Sequence, residues 1–134
     1  MGVLIDASVL IGLERSGSEL ERRVEGRGEE ELFLSVVTAS ELLHGVHRAA
    51  DGRIRSRRSA FVEAVLERIP ILGIDLATAR AHAGTWAGLS ASGMMIGAHD
   101  LWIAASCLAH GLTLVTLNVR EFVRVPGLRI EDWS

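Results

Sequence analysis

The feature that most constrains the fold is an alternation of short apolar runs with longer segments of helical periodicity. The runs are continuous in apolar character, which is typical of strands buried on both faces of a sheet. A repeated strand–helix order predicts a parallel sheet covered by helices on both sides, and therefore an α/β fold. The predicted strands are Val3–Ile5, Leu32–Val36, Ile71–Ile74, Leu112–Thr116 and Leu128–Ile130.

The segments between these strands carry the signals of helices. Thr38 is predicted to cap one helix, and Asp75 another. A third helix is predicted over Ile54–Ile69, with Ile54 on its apolar stripe. The last covers Ala98–His110 and ends before a glycine, a common residue after a helix C-terminus.

Length and composition limit the class of protein. A chain of 134 residues suits a single domain, residues 1–134, and contains no apolar stretch long enough to span a membrane. The apolar start is not expected to be a signal peptide, because it lacks a basic leader and contains the acidic Asp6. The single cysteine, Cys107, is expected to be a buried core residue and is consistent with a cytoplasmic protein.

The charge distribution gives a mixed indication about nucleic acid. A formal charge of −3 argues against a protein that coats phosphates with cations. However, Arg53, Arg55, Arg57 and Arg58 form a local cluster. Arginine binds phosphate bidentately, but such a cluster also suits the solvated face of a helix. Both interpretations stay open at this point.

Four acidic residues from distant parts of the chain are predicted to meet at one edge of the sheet. Asp6 follows the first strand, and Glu41 is in the first turn of the helix after the second strand. Asp100 opens the last long helix, and Glu121 follows the fourth strand. Ligands of open α/β sheets bind outside the carboxyl ends of the strands, so this is the edge where a site is expected.

This set of acids suits a divalent metal ion. Carboxylates that lie close together repel one another unless a cation neutralises them, and Mg²⁺ or Mn²⁺ prefers oxygen ligands. Such an ion can activate water for attack on a phosphodiester. Ser8, Thr116 and Asn118 are expected to orient water and carboxylates around it. For any one acid, a position near a helix start is equally explained by the helix dipole, but Asp6 interrupts an apolar run.

The same residues carry a family resemblance that spans almost the whole chain. The segments "LIDASVLI", "VVTASELLHGV", "GAHDLWIAA" and "LVTLNVREFVRVPGLRIEDW" resemble, in order, the signature blocks of PIN domains, and most of all the VapC-type toxins of bacterial toxin–antitoxin pairs. The resemblance implies a three-layer α/β/α sandwich whose mainly parallel sheet has four to five strands. It also implies a Mg²⁺- or Mn²⁺-dependent endoribonuclease that leaves a 5′-phosphate and a 3′-hydroxyl, a VapB-type antitoxin as partner, and a homodimer.

The resemblance also implies roles for individual acids. Asp6 and Asp100 match the usual direct metal ligands, and Glu41 matches the third acid of the metal site. We expect Glu41 to bind the ion through water or to help deprotonate the attacking water. Many PIN domains have an aspartate near the position of Asn118. Here either Asn118, as a neutral oxygen ligand, or Glu121, acting through water, completes the site, and Glu121 is the expected one. For the homodimer, the apolar content of the helices around Leu42–Ala50 and Ile54–Ile69 indicates an interface there.

Other site types fit the sequence less well. Glu41 and His44 form a single E-x-x-H pair, whereas di-iron bundles use two such motifs, so His44 and His47 are expected to be solvated or interface residues. A haloacid-dehalogenase phosphotransferase normally has a second aspartate where Ser8 lies, and a receiver domain needs a lysine that this chain lacks. A non-catalytic protein that binds RNA or an antitoxin remains the alternative to a nuclease.

Overall fold

The computed structural model describes residues 2–17, 22 and 30–133. Within them the chain forms strands β1 to β5 and helices that we number α1 to α6. The strands are β1 (Gly2–Ile5), β2 (Glu31–Ser35), β3 (Ile71–Leu72), β4 (Thr113–Thr116) and β5 (Ile130–Asp132). The helices are α1 (Ala7–Ser16), α2 (Val36–Arg48), α3 (Gly52–Arg68), α4 (Leu76–Ser92), α5 (Ala98–His110) and α6 (Val119–Phe122).

All strand pairings are parallel, and β1 lies at the centre of the sheet. The order is β3-β2-β1-β4-β5, with Leu4 of β1 paired to Phe33 on one side and to Leu114 on the other. The strand order reverses direction next to β1, because the chain leaves for β2 on one side and returns at β4 on the other. A ligand crevice is expected outside the carboxyl ends of strands at such a point.

Two hydrophobic cores cover the two faces of the sheet. Val3 and Ile5 point to a core shared with α1, α2 and α3, whereas Leu4 points to a core shared with α4 and α5. Alternate residues of a strand face opposite sides of a sheet, which is why one short strand serves both cores. The predicted three-layer α/β/α sandwich with a parallel sheet is confirmed.

Two details of the helix predictions are wrong. Thr38 does not cap α2; the helix begins at Val36, and Ser35 at the end of β2 caps it by accepting a hydrogen bond from the Val37 N–H at 3.0 Å. The chain passes from strand to helix without a loop, so Thr38 is buried inside the helix. Ile54 is 41 % exposed rather than part of the core stripe, because α3 begins at Gly52 and Ile54 lies in its first, solvent-facing turn.

The remaining helix signals are confirmed. Asp75 caps α4 by accepting from the backbone N–H of Thr78 at 2.8 Å, and α5 ends where Gly111 adopts a left-handed conformation with φ of 65°. Cys107 is buried, and burial raises the pKa of its thiol to about 12. Among the described residues, no helix is long and apolar enough to cross a membrane.

Candidate active site

Asp6 lies at the junction of β1 and α1, above the centre of the sheet. Its backbone N–H donates to the carbonyl of Val115 at 2.9 Å, which continues the pairing of β1 with β4 by one residue. Its carboxylate does not cap α1 and is only 5 % exposed. A buried acid that does not stabilise its own helix needs another reason for its position.

Two hydroxyl groups hold the Asp6 carboxylate in place. Ser8 Oγ donates to Asp6 Oδ2 at 2.7 Å, and Thr116 Oγ1 donates to the same oxygen at 2.9 Å. Each hydroxyl in turn accepts a backbone N–H: Ser8 from Leu117 at 3.1 Å, and Thr116 from Asn118 at 2.9 Å. Each hydroxyl oxygen thus accepts a backbone N–H and donates its own proton to Asp6.

Glu41 lies in the second turn of α2 rather than at its first residues, because the helix begins earlier than predicted. Its Oε1 is buried and has no hydrogen-bond partner among the described residues. Burial and the charge of Asp6 raise the pKa of Glu41, and nearby His99, whose Nδ1 is 4.0 Å from Oε1, opposes this shift. An unpartnered buried carboxylate oxygen is costly unless a cation or water satisfies it.

Asp100 is in the first turn of α5 and responds to the other three acids. Burial, together with the charges of Glu121, Asp6 and Glu41, raises its pKa to about 7. The same acids that lie far apart along the chain are therefore close enough in space to disfavour ionisation of Asp100. This is the electrostatic environment that a divalent cation stabilises.

Glu121 is fixed by donors at the edge of this group. Its Oε1 accepts the backbone N–H of Gly97 at 2.8 Å, and its Oε2 accepts Nδ2 of Asn118 at 3.1 Å. The Gly97 N–H is the largest cause of a lowered pKa at Glu121, and a hydrogen bond with Asp100 contributes. Glu121 is thus the partner that stays ionised beside Asp100.

The sheet edge therefore brings the four predicted acids together, but loosely. Among residues 2–17, 22 and 30–133, no three Asp, Glu, His or Cys side chains converge tightly enough to form a ready metal cluster. The mutual pKa effects nevertheless show that the acids share one electrostatic site, and Mg²⁺ usually keeps several water ligands, so tight convergence of three side chains is not required.

Comparison with known proteins identifies the family. The PIN domain family model matches residues 3–128. The chain belongs to the PIN-domain family.

Its relatives are ribonucleases of the VapC type. It is 35 % identical to ribonuclease VapC1 of Rickettsia felis, over 97 % of this chain and 95 % of that protein. It is 32 % identical to the tRNA(fMet)-specific endonuclease VapC of Shigella flexneri, over 98 % and 97 %. DNA-bound VapBC from Salmonella typhimurium superimposes with a TM-score of 0.89 at 30 % identity, covering 100 % of this chain and 99 % of that one. The predicted membership in the PIN family, the VapC resemblance and the ribonuclease class are confirmed.

Some residues of this PIN domain that sequence reasoning singled out lie away from the acids or have other partners. Asn118 does not contact Asp6 through its side chain but donates to Glu121. His44 and His47 are exposed on α2, as expected of solvated or interface residues.

PIN-domain ribonucleases depend on a divalent metal as a class, and the donor set here, carboxylate oxygens with an unsatisfied Glu41 Oε1, fits such an ion.

The arginine cluster divides into two pairs. Arg55 binds the carbonyl of Ala49 through Nε at 3.0 Å and Nη2 at 2.6 Å, and Arg58 binds the carbonyl of Gly45 at 3.1 Å. These contacts satisfy carbonyl groups at the C-terminus of α2, which a helix leaves without internal partners. Arg53 and Arg57 are exposed. The cluster is therefore in part a structural connection between α2 and α3.

The site also contains a donor that sequence reasoning missed, the backbone N–H of Gly97. No side-chain signal marks a backbone donor, and its target, Glu121, is 24 residues away. The one available hint is that the residue before α5 is a glycine.

Proposed function

We propose that this chain is the Mg²⁺- or Mn²⁺-dependent endoribonuclease toxin of a type II toxin–antitoxin pair. Asp6 and Asp100 bind the ion directly, Glu41 binds it through water, and Glu121 completes the acidic site. The single observation that carries this proposal is that burial and neighbouring acids raise the pKa of Asp100 to about 7. A bound cation removes the electrostatic cost of ionising Asp100 beside the other acids.

The remaining residues support the same reaction. The ion would supply an activated water and neutralise charge that develops on the phosphate, leaving a 5′-phosphate and a 3′-hydroxyl. Ser8 and Thr116 hold the Asp6 carboxylate so that its position does not depend on the ion. Hydrogen bonds from Asn118 Nδ2 and the Gly97 N–H hold the Glu121 carboxylate in place.

The partners follow from the relatives. Solved relatives are VapBC toxin–antitoxin complexes, so a VapB-type antitoxin is the partner of this chain. We further propose a single domain over residues 1–134, a homodimer, and cytoplasmic action on RNA. Because relatives are named tRNA(fMet)-specific endonucleases, tRNA(fMet) is the first substrate to test.

The decisive experiment combines cleavage with metal binding. The purified chain, incubated with tRNA(fMet) and total RNA in Mn²⁺, should produce 5′-phosphate ends, and Asp6→Asn should abolish cleavage while keeping the circular dichroism spectrum. Glu63→Gln, an exposed acid on α3, is the matched control and should cleave normally.

Mn²⁺ titration separates the enzyme from the non-catalytic alternative. We expect binding that is lost in Asp6→Asn and in Asp100→Asn. Full cleavage by Asp6→Asn would refute the assigned ligands. RNA binding without Mn²⁺ binding or cleavage by the unaltered chain would instead favour a protein that acts by binding alone.

A further inference from the structure

A cleft of about 600 Å³ lies between α1, α2 and α3 and leads away from the acidic site. Glu41 and His99 form the end of the cleft nearest the other acids. Arg15 and Arg48 line it too, from the last turns of α1 and α2. The cleft is thus continuous with the proposed reaction centre, and Arg15 and Arg48 reach it from two different helices.

Arg15 and Arg48 differ from the third arginine of the cleft, which is paired with a carboxylate. Arg58 contacts Glu14 Oε1 at 3.3 Å and also donates to the Gly45 carbonyl, so its guanidinium is occupied. Within the part of the chain that the structure describes, no ion pair or side-chain hydrogen bond engages Arg15 or Arg48. Both side chains are exposed.

A cation at a helix C-terminus is stabilised by the helix dipole, which would explain each arginine separately. It does not explain why both line the same cleft. Apart from Glu41, the carboxylate that lines the cleft is Glu14, and it is already paired with Arg58. The cleft therefore has an unbalanced positive charge at the end away from Glu41.

We propose that this cleft binds the RNA backbone next to the scissile phosphate, with Arg15 and Arg48 contacting a neighbouring phosphate group. This inference rests on the proposed nuclease function. Glu41, Gly45 and Arg48 follow one face of α2, and seven residues at 1.5 Å per residue place Arg48 about 10 Å along the helix from Glu41. That separation of about two helical turns places Arg48 beyond Glu41 along the cleft, where it can bind the strand next to the site of cleavage.

Electrostatics and size suit a single strand of RNA. A chain with a formal charge of −3 and four acids at its reaction centre repels a polyanion, so productive binding needs cations where the strand leaves the acids. Guanidinium groups bind phosphate oxygens in a planar, bidentate manner. A cleft of this volume accepts a short single-stranded segment but not a duplex. Nucleases that cut RNA in loops bind a single-stranded backbone.

The test measures both cleavage and binding. In the double variant Arg15→Gln/Arg48→Gln, we expect KM for RNA to rise roughly tenfold with little change in kcat, since the contacts lie away from the reacting atoms. The matched control is Arg53→Gln/Arg57→Gln, which removes the same charge from the exposed face of α3 and should change KM by less than about twofold.

The salt dependence of RNA affinity distinguishes phosphate contacts of the two arginines from a purely structural role. The affinity of the inactive Asp6→Asn chain for a short single-stranded RNA is measured by fluorescence anisotropy across salt concentrations. Each lost phosphate contact should make the slope of log affinity against log salt shallower by about 0.7. Arg15→Lys/Arg48→Lys should restore most of this slope, because lysine keeps the charge.

The outcomes distinguish this inference from the proposed function. If the unaltered chain cleaves RNA but Arg15→Gln/Arg48→Gln keeps its KM and its salt slope, the cleft proposal is wrong and the nuclease assignment stands. A double variant that loses antitoxin affinity but retains RNA affinity would also overturn it and assign the cleft to the antitoxin. If the unaltered chain does not cleave, the nuclease proposal fails, and the anisotropy measurement still decides whether the arginines bind RNA.

Discussion

A single carboxylate oxygen, Asp6 Oδ2, shows how this site is built at the scale of residues. It receives two hydroxyl protons, from Ser8 and Thr116, and each hydroxyl is oriented by a backbone N–H from the turn after β4. The position of the acid thus depends on two strands that the chain visits about 110 residues apart. A metal ligand held in this way needs little rearrangement when the ion binds.

Thr116→Val tests this support. The substitution keeps the shape of a fully buried side chain and removes one donor to Asp6. We expect a loss of about 1–3 kcal/mol in the free energy of unfolding, because the hydroxyl also accepts the Asn118 N–H. Mn²⁺ affinity should fall about 10- to 100-fold. Thr113→Val, in the same strand, is the control for both measurements, and an unchanged Mn²⁺ affinity in Thr116→Val would contradict the supporting role.

Asp100→Asn tests the electrostatic cost of the acidic group without metal. The pKa of Asp100 is raised to about 7, so at pH 8 the folded protein contains an ionised carboxylate in an unfavourable place. An acid with a raised pKa binds more protons in the folded state than in the unfolded state, so its contribution to stability falls as pH rises from about 4 to 7. In a chelator, Asp100→Asn should therefore melt at a higher temperature than the original at pH 8, and the difference should shrink as pH falls and nearly vanish at about pH 4.

Added Mn²⁺ should reverse this order at pH 8, because only the original chain keeps the full set of ligands. A variant that melts lower than the original in chelator at pH 8, while remaining folded, would show that Asp100 is not under electrostatic strain.

At the scale of elements, the ends of helices determine much of the structure around the site. Ser35 starts α2 directly from β2, and arginines from α3 bind the carbonyl groups at its other end. Together these contacts fix the axial position of α2, and therefore that of Glu41. Across the sheet, Asp75 starts α4 and lies near the end of α5, where His110 Nε2 is 3.2 Å from its Oδ2.

Asp75 gives a prediction about acid stability. Hydrogen bonds from the backbone N–H and the hydroxyl of Thr78 lower its pKa below the usual 3.8, and His110 contributes. A lowered folded-state pKa gives stability that is present above the unfolded value and lost as pH falls through the folded value. The melting temperature of Asp75→Asn should therefore lie below that of the original chain at pH 6, and the difference should shrink as pH falls below the usual value of 3.8. Glu63→Gln should show no such convergence; a difference for Asp75→Asn that is constant with pH would contradict the prediction.

At the scale of the whole molecule, the fold sets the site at the point where the strand order reverses. Apolar side chains remain exposed on both layers of helices: Val36 and Ile54 are 41 % exposed on α2 and α3, and Leu76 and Trp86 are 66 % and 54 % exposed on α4. The apolar surface on α4, across the sheet, is therefore an alternative to the homodimer interface predicted on α2 and α3.

Sedimentation velocity at micromolar concentration tests the homodimer. We expect a dimer, because burial of such side chains in a second copy removes apolar surface from water. Ile54→Glu should dissociate a dimer formed through α2 and α3, whereas Trp86→Glu should not. The opposite result would move the interface to α4, and a strict monomer for the original chain would contradict the prediction altogether.

Much of this arrangement follows from the sequence alone, for a physical reason. Continuous apolar runs separated by helices allow only a parallel sheet, and the polarity of parallel strands places whatever follows them at one edge. Asp6, Glu41 and Asp100 could therefore be assigned to one site without coordinates. Features set by local sequence, such as the Asp75 cap and the glycine after α5, were equally accessible.

Only the tertiary structure decided the features that depend on the separation of residues distant in the chain. The packed chain places the Asn118 side chain against Glu121 and the Gly97 N–H within hydrogen-bond distance of Glu121. It also makes Ser35, rather than Thr38, the N-cap of α2. It also brought Arg15 and Arg48 from two helices to one cleft. Periodicity determines which face of an element is buried, but charge interactions and hydrogen bonds depend on ångström distances that only the packed chain defines.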